Sequence, residues 1–137
     1  MKVREYNSED YDLICGWWIE HDLNVIPDVF LPVGFIVEDE GGAAIAAAWI
    51  HCCKYSLMSW MNWPIVNPNA TDKQKHKALT MLCDNLRQFA LKDGYRFMGA
   101  FWHQKSLVKF SENYGFMKNH DNVTEMFIMT APMQGEN

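Results

Sequence analysis

The sequence predicts a mixed α/β domain: a central mixed, mostly antiparallel sheet of about six to seven strands flanked by helices. Short runs rich in β-branched and aromatic residues read as strands, while apolar residues recur at helical spacing in three other segments. Gly, Pro and Asn separate these segments. The order is strand, helix, three strands, helix, strand, helix, strand, so antiparallel hairpins come first and crossovers later.

The first half of the chain predicts one helix and four strands. A strand at 3–6 is followed by Ser8 and two acidic residues, which is a helix N-terminus signal. The apolar face of that helix is Tyr11, Ile14, Cys15, Trp18 and Ile19. A turn with two glycines joins the strand that starts at Gly34 to a returning strand at 43–53, and another strand follows at 57–66.

The second half predicts two helices alternating with strands. A long helix is expected at about 72–92, ended by Gly94, and a strand at 95–102 follows it. A short helix at 105–114 and a strand at 123–130 come next. A further short strand at 116–119 would raise the strand count to seven. Residues 1–130 are expected to form a single domain, and residues 131–137 a flexible tail.

Composition excludes several classes of protein. The 137 residues carry a formal net charge of -5, which argues against a nucleic-acid binder. The four cysteines show no CxxC spacing, so reduced core thiols are expected and no metal site. The polar N-terminus is not a signal peptide, and no apolar run is long enough to span a bilayer. These features predict a cytoplasmic protein without a membrane partner.

The element order and three segments resemble the GNAT family of N-acetyltransferases. Residues 65–68, Ile-Val-Asn-Pro, resemble the exit of the family's fourth strand. The long helix ends in Lys-Asp-Gly-Tyr at 92–95 and leads directly into a strand. Residues 106–116 resemble the penultimate helix, which closes on a Gly-Phe pair. The segments 106–109 and 123–126 are also similar to small GNAT-like proteins encoded by bacteriophages.

This resemblance implies acetyl-CoA as co-substrate, bound where the fourth and fifth strands splay apart. Its pantetheine would pair with the backbone of the fourth strand at Ile65 and Val66, and its pyrophosphate would meet N–H groups of the following helix. The family has Gln or Arg, then Gly, then Gly or Ala at the start of that helix. An ungapped count puts these positions on Thr71, Gln74 and His76, so neither glycine is present. Glycine matters because the backbone must approach a phosphate closely.

The first turns of the long helix are rich in cations. A helix start is the partly positive end of the helix dipole, where each cation is unfavourable by about 0.3–1 kcal/mol. One interpretation is an anion site for the CoA phosphates, since free N–H groups point outward there. The other is that the lysines are solvated and reach past the dipole. The candidate cofactor-binding residues of this helix are Thr71, Lys73, Gln74, Lys75, His76 and Lys77.

Transfer to an amine needs a route for the amine proton and a proton donor for the thiolate that leaves. The resemblance implies a Tyr four residues before the Gly of the Gly-Phe pair, but Ser111 stands there, with Tyr114 close by on another side of the helix. His103 stands where the family places a polar residue near the cofactor, and an imidazole can relay protons. The candidate catalytic residues are therefore Ser111, Tyr114 and His103.

The candidate fourth strand carries aromatic and polar residues together. Strict alternation puts Trp60 and Asn62 on one face of the sheet and Met61 and Trp63 on the other. These side chains either wall a site for pantetheine and acceptor or fill the core on both faces. A deep cleft lined by Trp60, Trp63 and His103 would favour an enzyme, and a flat aromatic patch would favour an interaction module.

Two functions therefore compete. The first is an acyl-CoA-dependent N-acetyltransferase that transfers acetyl from acetyl-CoA to a small-molecule or peptide amine. The second is a catalytically silent GNAT-like module that binds a protein partner, which the missing glycines and the missing Tyr favour. A structural homodimer joined through strands is a third possibility.

Overall fold

The computed structural model describes residues 1–131, in which five strands form a mixed sheet with helices on both faces, which confirms the predicted fold class. Short 3-10 turns at Ser8–Asp10 and Asp28–Phe30 precede the first helix and the second strand. The main elements in chain order are β1 (Lys2–Glu5), α1 (Tyr11–Glu20), β2 (Gly34–Glu38), β3 (Ala44–Cys52), β4 (Met58–Val66), α2 (Asp72–Lys92), β5 (Phe97–Ala100) and α3 (Lys105–Tyr114).

The strands lie in the sheet in chain order, β1 to β5. The first four strands pair antiparallel, and β4 pairs parallel with β5. The parallel pair follows from the connection between these strands, because parallel neighbours need a crossover and α2 supplies it. No helix within residues 1–131 is long and apolar enough to cross a membrane.

Alternation along β3 separates two cores. Ala46, Ala48 and Ile50 face α2 and α3, whereas Ala47 and Trp49 face α1. All five residues are buried, so both faces of the sheet centre are covered. The site described below lies at the edge of this sheet, between the two layers of helices.

Helix α1 ends in a Schellman motif. The N–H of Leu23 donates to the carbonyl of Trp18 at 2.9 Å, and the N–H of Asp22 donates to that of Ile19 at 3.0 Å. Asp22 occupies the left-handed position of this motif with φ 58°, where glycine is more usual. The motif ends the helix and satisfies two of its last carbonyl groups.

Two strands predicted near the C-terminus do not form. Residues 116–119 and 123–130 contain no strand, and Met126 and Ile128 are 83 % and 91 % exposed. A strand needs a partner edge and a buried face in addition to β-propensity. β5 offers an edge of only four residues, and the apolar run 126–129 does not alternate. Of the predicted tail, residues 132–137 lie outside the described residues.

Candidate functional site

The sheet splits between β4 and β5. Their parallel ladder ends where Met61 pairs with Ala100, and β5 stops there. β4 continues for five more residues, to Val66. Within residues 1–131, the outer edge of this last part of β4 therefore has no strand beside it.

A β-bulge lies in β4 at the mouth of the split. Ala47 pairs with Ile65 and Trp49 with Asn62, so β4 carries one more residue than β3 between these pairs. Trp63 lies in this bulge with φ 51°, a left-handed conformation that bulky residues rarely adopt. The extra residue puts Trp63 on the α1 face with Asn62, so the prediction of opposite faces was wrong. The physical reason is that a bulge shifts the two-residue period of a strand.

The backbone of Val66 faces the split. Asn67 N–H donates to the carbonyl of Ile45 at 2.8 Å, and Val66 is the next residue back, opposite Ala46. Successive residues of an antiparallel strand point their N–H and C=O groups to opposite sides. Both backbone groups of Val66 therefore point away from β3, where an extended ligand in the split would meet them.

His21, which follows α1, forms a hydrogen bond with one of these groups. Its Nε2 lies 2.9 Å from the carbonyl oxygen of Val66. A carbonyl oxygen only accepts, so Nε2 carries a proton and donates it. A ligand that pairs with Val66 therefore competes with the His21 side chain for this carbonyl oxygen.

An open groove of about 450 Å³ lies beside the bulge on the α1 side of the sheet. Trp18, Trp63 and Pro64 line it, together with Phe101 and His103, which follow β5. The loop after α1, helix α3 and residues 123–125 complete its walls. The groove and the split share the bulged strand β4.

A flat aromatic pair covers the sheet below the split. The rings of Trp60 and Phe101 stack with centroids 5.1 Å apart and planes within 5°. Trp60 lies across Gly99, where an added Cβ would be 2.5 Å from the indole. Glycine at 99 therefore permits this stack, which brings Phe101 to the groove.

His51 lies beside the bulge as a neutral base. The side-chain amide of Asn62 donates to its Nδ1, so the ring proton is on Nε2. The ring meets Trp63 edge to face with centroids 5.9 Å apart. Burial lowers the pKa of His51, which keeps the imidazole uncharged at neutral pH.

A capping box satisfies two backbone N–H groups at the start of α2. Thr71 Oγ1 accepts from Gln74 N–H at 3.2 Å, and Gln74 Oε1 accepts from Thr71 N–H at 2.9 Å. Lys75 N–H donates to the Thr71 carbonyl at 2.9 Å. The N–H groups of Asp72 and Lys73 remain at the helix end without an intrahelical partner, and they are the two best placed to meet an anion.

The cationic segment at the start of α2 contacts α3 through His76. Lys73 and Lys77 are exposed and Lys75 is half-buried. The His76 ring meets Phe110 of α3 edge to face, with centroids 5.4 Å apart. His76 is thus a contact between the two helices, and the three lysines supply the charge.

The three predicted catalytic residues do not all line the groove. His103 lines the groove. Ser111 is 2 % exposed and its hydroxyl donates to the Val108 carbonyl at 2.7 Å. The Tyr114 hydroxyl donates to Asp84 Oδ1 at 2.6 Å, and burial raises the pKa of Tyr114. Of the three, only His103 is among the residues that line the groove.

Sequence reasoning missed His21, Phe101 and the bulge. Pro64 inside a predicted strand was a usable signal, because proline in strands favours edges and bulges. No local pattern indicates that His21 reaches Val66, since 45 residues separate them along the chain.

The chain is similar to known proteins in structure, not in sequence. No family model and no curated protein matches the chain. An N-acetyltransferase from Staphylococcus aureus Mu50 superposes with a TM-score of 0.62 at 16% identity, over 84% of this chain and 82% of that one. An aminoglycoside N-acetyltransferase in complex with CoA superposes with a TM-score of 0.64 at 15% identity, over 93% of this chain and 100% of that one. A GNAT superfamily phosphinothricin acetyltransferase from Sinorhizobium meliloti in complex with AcCoA superposes with a TM-score of 0.65 at 16% identity, over 83% of this chain and 73% of that one.

At these identities the likeness establishes the fold. The chain has the GNAT fold, as its element order and the segments at 65–68, 92–95 and 106–116 predict. The similarity to phage-encoded proteins stays a prediction.

Proposed function

We propose that the protein is an acetyl-CoA-dependent N-acetyltransferase that transfers an acetyl group to an amine. The observation that carries this proposal is the split of the sheet, where β4 presents the backbone of Val66 to an extended ligand beside an open groove. Solved structures of the same fold with CoA or AcCoA bound support it.

The residues at the split fit an extended ligand with amide groups. The Val66 N–H donates and its carbonyl accepts, which matches a chain of amides running along the strand. The N–H groups of Asp72 and Lys73 and the three lysines suit phosphates at the start of α2. The N–H of Gln74 is already satisfied by Thr71, so the phosphate contact depends more on side-chain charge than on backbone donors.

When bound, acetyl-CoA supplies an activated acetyl group as a thioester. The protein's part is to position the groups: Val66 aligns the ligand along β4, and the groove holds the amine beside the bulge. His103 lines that groove, and its imidazole is suited to accept the proton that the amine loses. We assign no proton transfer to Ser111 or Tyr114, because their hydroxyls donate to other groups.

A second candidate function is a catalytically silent module that binds a protein partner. Two observations favour it: His21 occupies the Val66 carbonyl, and the capping box occupies the Gln74 N–H. Both contacts stand where the proposed ligand would bind. A direct measurement of acetyl-CoA binding separates the two functions.

Replacing Lys73, Lys75 and Lys77 together by alanine is expected to weaken acetyl-CoA binding about fivefold, or about 1 kcal/mol. The variant loses three positive charges beside the phosphates. The effect is modest because these lysines are largely exposed and solvent screens their charges. Calorimetric titration of both proteins with acetyl-CoA measures the effect, which should shrink as salt is added.

The matched control replaces three other lysines, Lys2, Lys54 and Lys92. Lys92 ends the 21-residue helix α2, about 30 Å from its start, and Lys2 lies on the opposite edge of the sheet. This variant loses the same charge and should bind acetyl-CoA like the unmodified protein. Equal weakening in both variants would show a general charge effect only. No binding to the unmodified protein at millimolar acetyl-CoA would favour the silent module.

A further inference from the structure

We infer that the acceptor is a cationic amine carried on an apolar body, and that Asp22 binds its ammonium group. This inference rests on the proposed acetyl transfer and names the substrate class of that site. It starts from the residues that line the groove beside the bulge.

The fixed charges of the groove have one sign. Two of its lining residues carry a formal charge at neutral pH, and both are carboxylates, Asp22 and Glu125. Neither forms a salt bridge within residues 1–131. The groove therefore attracts a cation and repels an acceptor with a carboxylate or phosphinate group of its own.

The uncharged walls of the groove are mostly apolar or aromatic. Trp63 and Phe101 contribute aromatic rings, and Leu23, Ile26 and Leu107 contribute aliphatic side chains. Ring faces stabilise ammonium groups, and aliphatic walls favour a ligand with an apolar body. Small hydrophilic amines would leave these walls in contact with water.

Asp22 presents its carboxylate to the groove from the end of α1. It occupies the left-handed position that ends this helix, with φ 58°. Glycine is the usual residue there, and Asp and Asn are the other residues that adopt this conformation most readily. The backbone hydrogen bond to Ile19 holds the position, so the carboxylate is placed by the rigid end of a helix.

The reaction balances with this acceptor. The ammonium loses one proton to His103 or solvent, and the free amine nitrogen bonds to the carbonyl carbon of the thioester. The carbon–sulfur bond breaks, the second amine proton reaches the thiolate, and the products are the amide and the CoA thiol.

A matched set of probes tests the inference: 2-phenylethylamine, phenylalanine and ethanolamine. Phenylalanine adds only a carboxylate to the first probe, and ethanolamine lacks the apolar body. Ligand-observed NMR on the full chain measures binding, and release of the CoA thiol measures transfer. We expect 2-phenylethylamine to bind at least tenfold more tightly than either of the others.

Asp22→Asn should lower the affinity for 2-phenylethylamine about fivefold and leave acetyl-CoA binding unchanged. Asparagine keeps the size and tolerates the left-handed conformation, so folding should be preserved. Asp12→Asn removes an exposed carboxylate in the first turn of α1 and serves as the control.

Equal binding of phenylalanine, or no effect of Asp22→Asn, would overturn the inference, as would failure of 2-phenylethylamine to bind. Selective binding without thiol release would refute the proposed transfer instead, and would leave the assignment of the groove in place.

Discussion

Replacement of Gly34 by alanine is expected to lower the free energy of unfolding by about 1–3 kcal/mol. Gly34 is buried in β2, opposite Trp49 of β3, and the Trp49 indole lies directly over it. A Cβ at position 34 would overlap this ring. Trp49 is fully buried and packs on Trp18 of α1, with ring centroids 5.7 Å apart, so the ring has little room to move.

The matched control for this substitution is Gly16→Ala in α1. A Cβ there meets nothing within 4 Å, and alanine is the better helix former by about 0.8–1.0 kcal/mol. We therefore expect opposite signs for the same chemical change. Denaturant unfolding of both variants measures this difference. A Gly34→Ala protein as stable as the unmodified one would mean that Trp49 is not fixed over Gly34.

Replacement of His21 by alanine is expected to tighten acetyl-CoA binding by about two- to tenfold. The His21 Nε2–H donates to the Val66 carbonyl at 2.9 Å, and a ligand that pairs with this carbonyl competes with that bond. A hydrogen bond contributes about 0.5–1.5 kcal/mol net, which is the cost that the variant removes. Calorimetric titration with acetyl-CoA measures the change directly.

Two variants sharpen this prediction. His21→Gln keeps a side-chain N–H donor, so its affinity should lie between those of the unmodified protein and His21→Ala. His120→Ala removes an exposed histidine elsewhere and should change nothing. Weaker binding by His21→Ala would contradict competition and would indicate that the imidazole contacts the ligand.

The fold was accessible from sequence because its elements carry strong local signals. The structure places α2 at 72–92 and α3 at 105–114, with the predicted bounds. A polar start, an apolar stripe and a glycine stop define each of these helices. The prediction of two C-terminal strands was wrong because β-propensity does not supply a partner edge. Only the tertiary structure decides whether such an edge is present.

The site was only partly accessible from sequence. The resemblance implied Val66 and the start of α2 as cofactor-binding residues. The structure directs the backbone of Val66 away from β3 at the split, and the binding role of both stays a prediction. The bulge at Trp63 and the reach of His21 depend on pairing and packing between distant segments. Such contacts leave no periodic pattern, so local reasoning does not detect them.

An NMR titration of isotope-labelled protein with acetyl-CoA would show whether the ligand pairs with the free edge of β4 and displaces His21. We predict that the Val66 amide shifts and becomes protected from hydrogen exchange, and that the His21 side chain loses its hydrogen-bonded signal. Saturable binding that leaves Val66 and His21 unchanged would rule out this binding mode.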